Sequence, residues 1–166
     1  MVVFYTAMVK SANIRGPLGV GAPVAVIGGI GEIGLEICRA LALNGVAAVA
    51  IDRDSPEVGE RKLSTSGVKA TYRQADATDR KQLSDTLSSI AGLMGAVANA
   101  GVVDSAPFLD ASDAPSAPDV PASFKGALNT AQAAARLFAE SGVRGRIVFV
   151  TSWLQARATI NPSHHR

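Results

Sequence analysis

Pro23-Val-Ala-Val-Ile-Gly-Gly-Ile-Gly-Glu-Ile-Gly-Leu-Glu-Ile-Cys-Arg-Ala-Leu-Ala-Leu43 is the stretch whose reading decides the fold. Val24 to Ile27 has the length and β-branching of a buried strand. The chain then turns through Gly28, Gly29, Gly31 and Gly34. Ile33, Ile37 and Leu41, with Leu35 and Cys38, continue on one broad face of a helix. Strand, glycine turn and helix in that order give the G-x-G-x-x-G of Gly29, Gly31 and Gly34 its context. Such a turn needs backbone angles that a side chain forbids, and a diphosphate must approach the main chain where a Cβ would block it. The first N–H groups of the helix then meet the phosphates with the positive end of the helix dipole. An ordinary strand-to-helix turn is the plainer alternative.

Downstream, Asn44-Gly45 stops the helix, and Val46 to Ile51 reads as a second strand ending at Asp52. Asp52 stands 21 residues beyond Gly31, an offset suited to the acid that accepts from an adenosine ribose. A carboxylate there repels a ribose 2′-phosphate, so NAD is favoured over NADP, and Arg53 weakens that preference. A strand-end Asp serving only as a turn or cap residue is the competing reading.

The rest of the chain continues the rhythm. A helix is expected over Pro56–Ser66, with Gly59 as a blemish and Gly67 as its stop. A third strand is expected over Val68–Gln74, and a helix over Arg80–Ala91 capped by Asp79 or Thr78. Gly95–Ala98 reads as a fourth strand leading into Asn99-Ala100-Gly101. Prolines 107, 115, 118 and 121 predict irregular backbone to about Ala122. An Ala-rich helix follows over Phe124–Ser141, then a fifth buried strand over Arg146–Thr151 with Ser152 at its end. Five strands alternating with four helices predict an α/β fold, a doubly wound parallel sheet of Rossmann-like form in the order 3-2-1-4-5. The ligand crevice is expected at the carboxyl ends of strands one and four, where the winding reverses. The expected organisation is an N-terminal arm over 1–22, a dinucleotide-binding domain over 23–152 and an irregular tail over 153–166.

Bulk properties narrow the function. The 166 residues suffice for one domain with a real core. A net charge of +2 gives no field that would steer the chain to nucleic acid. No apolar, charge-free run reaches membrane-spanning length, and the N-terminus lacks a continuous signal-type apolar core. Cys38 stands alone, which rules out an internal disulfide, suits a reducing, cytoplasmic compartment and reads as a buried structural thiol.

The pattern resembles the short-chain dehydrogenases/reductases over roughly Pro23 to Ser152. Their glycine motif T-G-x-x-x-G-x-G is met at Gly28 and Gly34, with Ile27 for the Thr and Glu32 for the middle Gly. The spacing T-G-x-x-G-x-x-G of the extended branch fits Gly28, Gly31 and Gly34 better. D-x-T-D is present as Asp76-Ala77-Thr78-Asp79, and N-N-A-G survives as Ala98-Asn99-Ala100-Gly101. Lys125-Gly-Ala-Leu-Asn-Thr-Ala-Gln132 resembles the middle of the fourth helix, with Ser123 where an Asn is usual. The resemblance implies cofactor contacts from Gly28, Gly29, Ile30, Gly31, Ile33, Gly34, Asp52, Arg53, Asp76, Ala77, Asn99, Ala100 and Gly101. It implies that Ser152 is catalytic, that no metal is used, and that the substrate is a small alcohol or carbonyl compound. A homo-oligomer is left open.

The family's proton donor is a Tyr in Tyr-x-x-x-Lys beyond the Ser, but Trp153 to Arg166 contains neither residue type. His165 falls near the position of that Tyr, although a solvated terminal pair with His164 is the plainer reading. The chain therefore reads as the cofactor-binding front of such an enzyme, cut off before its proton donor. Its fifth strand is expected to form an open edge, giving a marginally stable or self-associating product. The alternative function is a catalytically silent module that binds NAD or a partner. A methyltransferase-like nucleotide fold shares the turn and the strand-end acid but not D-x-T-D or N-A-G.

Overall fold

The computed structural model describes residues 19–101 and 119–151, with the backbone alone over 119–122. The first strand, β1 (Pro23–Ile27), leads into α1 (Glu32–Leu43), followed by β2 (Ala47–Asp52) and α2 (Pro56–Thr65). β3 (Thr71–Gln74), α3 (Arg80–Ser88), β4 (Gly95–Ala98), α4 (Asp119–Ser141) and β5 (Arg146–Phe149) complete the described chain. The sheet is parallel in the order β3-β2-β1-β4-β5, as the alternation predicts.

Alternation along each strand sends side chains to two apolar layers. On one face, Ala25, Ile27, Val49, Ile51 and Ala96 pack with Leu83 and Leu87 of α3 and with Ala133, Ala134 and Phe138 of α4. On the other, Val24, Val26, Ala48, Ala50 and Val97 meet Cys38 of α1, Leu63 of α2 and Tyr72 of β3. Central strands buried on both sides explain why Val24–Ile27 shows no polar alternation.

Several element boundaries differ from expectation. β3 begins at Thr71 rather than Val68, because Val68–Ala70 make a tight turn in which Ala70 N–H donates to the Val68 carbonyl. α3 ends at Ser88, where Ser89 folds its hydroxyl and N–H back onto the last carbonyls. α4 starts at Asp119, earlier than the prolines suggest, since Pro121 lies in its first turn, where a missing N–H costs nothing. Asp79, not Thr78, caps α3, accepting from the N–H groups of Lys81 and Gln82 at 3.0 Å each. β5 is the sheet's edge and is not buried: Val148 and Phe149 are about half exposed, at 52% and 50%. Of the expected arm and tail, residues 1–18 and 153–166 lie outside the described residues.

Cys38 is fully buried beneath the glycine turn, its thiol 3.8 Å from the Gly29 carbonyl oxygen. Burial pushes that thiol up to about 11. The native chain at pH 8 is therefore expected to leave a disulfide-exchange reagent unreacted over minutes. One thiol per chain should titrate rapidly in denaturant, and prompt native labelling would show that the layer around Cys38 opens readily.

Candidate cofactor site

β1 ends at Ile27 between Ile51 of β2 and Ala98 of β4, so the residues just beyond all three strands share one rim. Here Gly28 adopts a left-handed φ of 78° and reverses the chain toward α1. A Cβ on Gly28 would stand 2.8 Å from the Ala100 backbone. One on Gly29 would press into the Ala50 backbone and the Val26 carbonyl, and one on Gly34 would overlap the Gly28 carbonyl oxygen. These three glycines let backbone run against backbone.

Gly31 differs. A Cβ there would meet only the Gly28 carbonyl oxygen, at an ordinary 3.6 Å. Gly31 is exposed and is the N-cap of α1, and the cap makes no side-chain hydrogen bond. The first turn of the helix thus keeps amides that no cap side chain satisfies. They sit beside a cleft of about 400 Å³ at the carboxyl end of the sheet. The fold has no packing need for glycine at 31.

The cleft gathers most of the predicted residues. Gly28, Gly31 and Ile33 form one wall, with Asp52 at the end of β2 and Arg53 just beyond it. Asp76 and Ala77 come from beyond β3, and Asn99, Ala100 and Gly101 from beyond β4. Gly29, Ile30 and Gly34 are buried beneath the turn and do not line the cleft. Ile33, expected on the packed face of α1, is 41% exposed and lines the cleft instead. Ser152 lies outside the described residues.

Hydrogen bonds hold this rim in shape. Asn99 donates its side-chain N–H to the Gly28 carbonyl at 3.0 Å, tying the end of β4 to the turn. The N–H groups of Gly28 and Gly29 donate to the Ile51 carbonyl at 2.8 and 3.1 Å. Asp52 Oδ1 accepts from the Arg53 N–H at 2.8 Å. Asp76 Oδ1 accepts from both the N–H and the hydroxyl of Thr78, at 2.7 and 2.8 Å. Those bonds, with Arg53 and Lys125 nearby, hold the Asp76 carboxyl below the usual carboxylate range. At neutral pH the rim therefore carries a fixed negative charge at Asp76 with cations around it.

Sequence reasoning missed four contributors. Thr78 lines the cleft as well as holding Asp76, a pairing that the Asp-x-Thr spacing of an Asx turn signals. Glu32 and Ser123 also line it. Asn129, buried in α4, donates to the Ala77 carbonyl at 2.9 Å and fixes the loop after β3. An isolated Asn in an Ala-rich helix gives no local sign of that partner.

A model of the family described as short chain dehydrogenase matches residues 22–162. The chain belongs to that family. Among solved structures, this chain is similar to a short-chain type dehydrogenase/reductase from Mycobacterium marinum. The two share 26% identity over 85% of this chain and 60% of the other, with a TM-score of 0.72. The NAD+-bound xylitol dehydrogenase, at 24% identity, matches 86% of this chain and 58% of its own, with a TM-score of 0.71. A structure from Agrobacterium tumefaciens with bound NADP, also at 24%, matches 88% of this chain and 59% of its own at a TM-score of 0.66. The last two show the shared fold. The chain thus spans about 60% of the length of these relatives.

Two glycine substitutions should separate packing from ligand approach. Gly34→Ala is expected to cost roughly 3 kcal/mol or more, because backbone cannot yield to the new methyl. Gly31→Ala should cost only about 1 kcal/mol, the loss of a tolerated N-cap. Thermal melts of both variants check the contrast, and equal losses would refute it.

Proposed function

We propose that this chain binds NAD in the cleft and serves hydride transfer between the nicotinamide and a small alcohol or carbonyl substrate. The observation that carries the reading is Gly31, open to the cleft with no packing reason to be glycine, beside helix amides without a side-chain cap. A diphosphate explains both features. NAD, when bound, supplies the hydride acceptor and donor, while the protein supplies placement.

The remaining roles follow from position. The turn at Gly28, Gly31 and Ile33 would hold the diphosphate, with Gly29, Ile30 and Gly34 shaping it from beneath. Asp52, on the cleft at the end of β2, would accept from the ribose hydroxyls and disfavour a 2′-phosphate. Arg53 pulls the other way, which leaves NADP weaker rather than excluded. Asp76 and Ala77 would flank the adenine, and Asn99 to Gly101 would line the path toward the nicotinamide. Ser152 would steady the substrate oxygen, as the family resemblance implies.

A second reading, binding without turnover, is favoured by the setting of Tyr72; Tyr5 lies outside the described residues. Tyr72 is only 8% exposed, its hydroxyl is bonded to the Asp52 and Asp54 carbonyls, and it does not line the cleft. A general acid must reach the proton it transfers. NADH titration by fluorescence, with a panel of alcohols and NAD for turnover, tests both readings. Binding with turnover supports the first, binding without turnover supports the second, and no binding sinks both.

Glu32 adds a sharper expectation. It stands in the first turn of α1 on the cleft wall, where its charge suits the helix dipole but opposes a diphosphate. Glu32→Gln should tighten NADH about fivefold at low salt, the factor that ~1 kcal/mol of repulsion represents. The gain should shrink as salt rises. A loss of affinity would place the diphosphate elsewhere.

A further inference from the structure

The loop that carries Asp52 and Arg53 is held from below by β3. Tyr72 is the buried member of that strand and packs in the apolar layer between sheet and α2. Its ring lies against the bare Cα of Gly59, in the middle of α2, where a Cβ would collide with several ring carbons. Glycine inside a helix costs about 1 kcal/mol relative to alanine. Gly59 is therefore not a flaw in α2 but the seat for this ring.

The apolar layer needs only the ring, and phenylalanine would fill the same space. The hydroxyl does something else. It lies 2.6 Å from the Asp54 carbonyl oxygen and 3.0 Å from that of Asp52. The Asp52 carbonyl also accepts the Ala75 N–H at 2.8 Å, so Asp54 is the acceptor that depends on the phenol. Between them, the Arg53 carbonyl accepts from the Gln74 side chain at 3.0 Å. Three successive carbonyls are thus held from β3 and its end. The carboxylate of Asp52 is tied to the same backbone through the Arg53 N–H. Burial, helped by the charges of Asp52 and Asp54, pushes the phenol up to about 12, so it remains a donor at physiological pH.

We propose that Tyr72, seated on Gly59, is a positioning residue for cofactor choice: its hydroxyl fixes the Asp52–Asp54 backbone and thereby the placement of Asp52 and Arg53 at the cleft. The inference rests on the reading that Asp52 meets the adenosine ribose. A carboxylate discriminates between a hydroxyl and a phosphate only if it is held in place. When the loop is freed, Asp52 loses its grip on the ribose, and the neighbouring Arg53 meets a 2′-phosphate with less opposition.

The test titrates the full chain and its Tyr72→Phe variant with NADH and with NADPH, and follows amide hydrogen exchange over residues 52–55 without nucleotide. Tyr72→Phe should weaken NADH about fivefold, the factor for one lost hydrogen bond of ~1 kcal/mol, with little change for NADPH. Exchange over 52–55 should quicken by a similar factor. Gly59→Ala, which displaces the ring, should narrow the NADH preference too, and the double variant should narrow it no further. An unchanged NADH:NADPH ratio in Tyr72→Phe, or equal weakening of both nucleotides, overturns the inference while leaving the cofactor reading intact. Wild-type chain that binds neither nucleotide overturns both.

Discussion

The Gly28 carbonyl is the point on which the site is built. Asn99 donates to it from the end of β4, and the Cα of Gly34 lies so close that no side chain fits between. A third glycine, Gly29, lets the same turn lie flat on Ala50 of β2. Strand β1, its two neighbours and the start of α1 are thereby locked together within one turn. The glycine contacts are with backbone atoms, which cannot change rotamer to relieve a clash. A side chain added at Gly29 or Gly34 must therefore move whole elements.

From that lock the cleft follows as a consequence of winding. The chain leaves β1 toward β2 on one side and returns to β4 on the other, so the loops beyond these strands diverge and leave a gap. α1 and α2 cover one face, α3 and α4 the other, and both layers end at the same rim. Asp52, Asp76 and Asn99 reach that rim because each follows directly on a strand's last residues, not because they are near in sequence. Hydrogen bonds from Thr78, Asn129, Tyr72 and Gln74 then set the loops, and two of the donors, Tyr72 and Asn129, are themselves buried.

Membership of the short-chain dehydrogenases accounts for the fold, the order of strands and the position of the cleft. Particular residues then set the detail of the cleft. Glu32 brings a negative charge to the wall formed by the first turn of α1. Gly59 and Tyr72 form an interlocking pair whose polar end serves the loop next to the cleft. The outer edge, β5, carries Val148 and Phe149 in exposed positions, with exposed Val150 just beyond it, in contrast to the sealed strands at the centre of the sheet.

Sequence by itself determined the strand and helix types, the sheet order and most of the rim. Those features depend on period, on glycine spacing and on the right-handed winding of parallel strands, all of which are local or topological rules. Gly28, Gly31, Asp52, Asp76 and Asn99 were legible for that reason. What tertiary structure alone decided was which glycines serve packing and which face open space, since Gly29, Gly31 and Gly34 look alike in the motif. It also decided that Pro121 lies inside α4 and that Gly59 is matched to Tyr72. Each depends on a partner far away in the chain, and no local pattern encodes the distance between two atoms brought together only by folding.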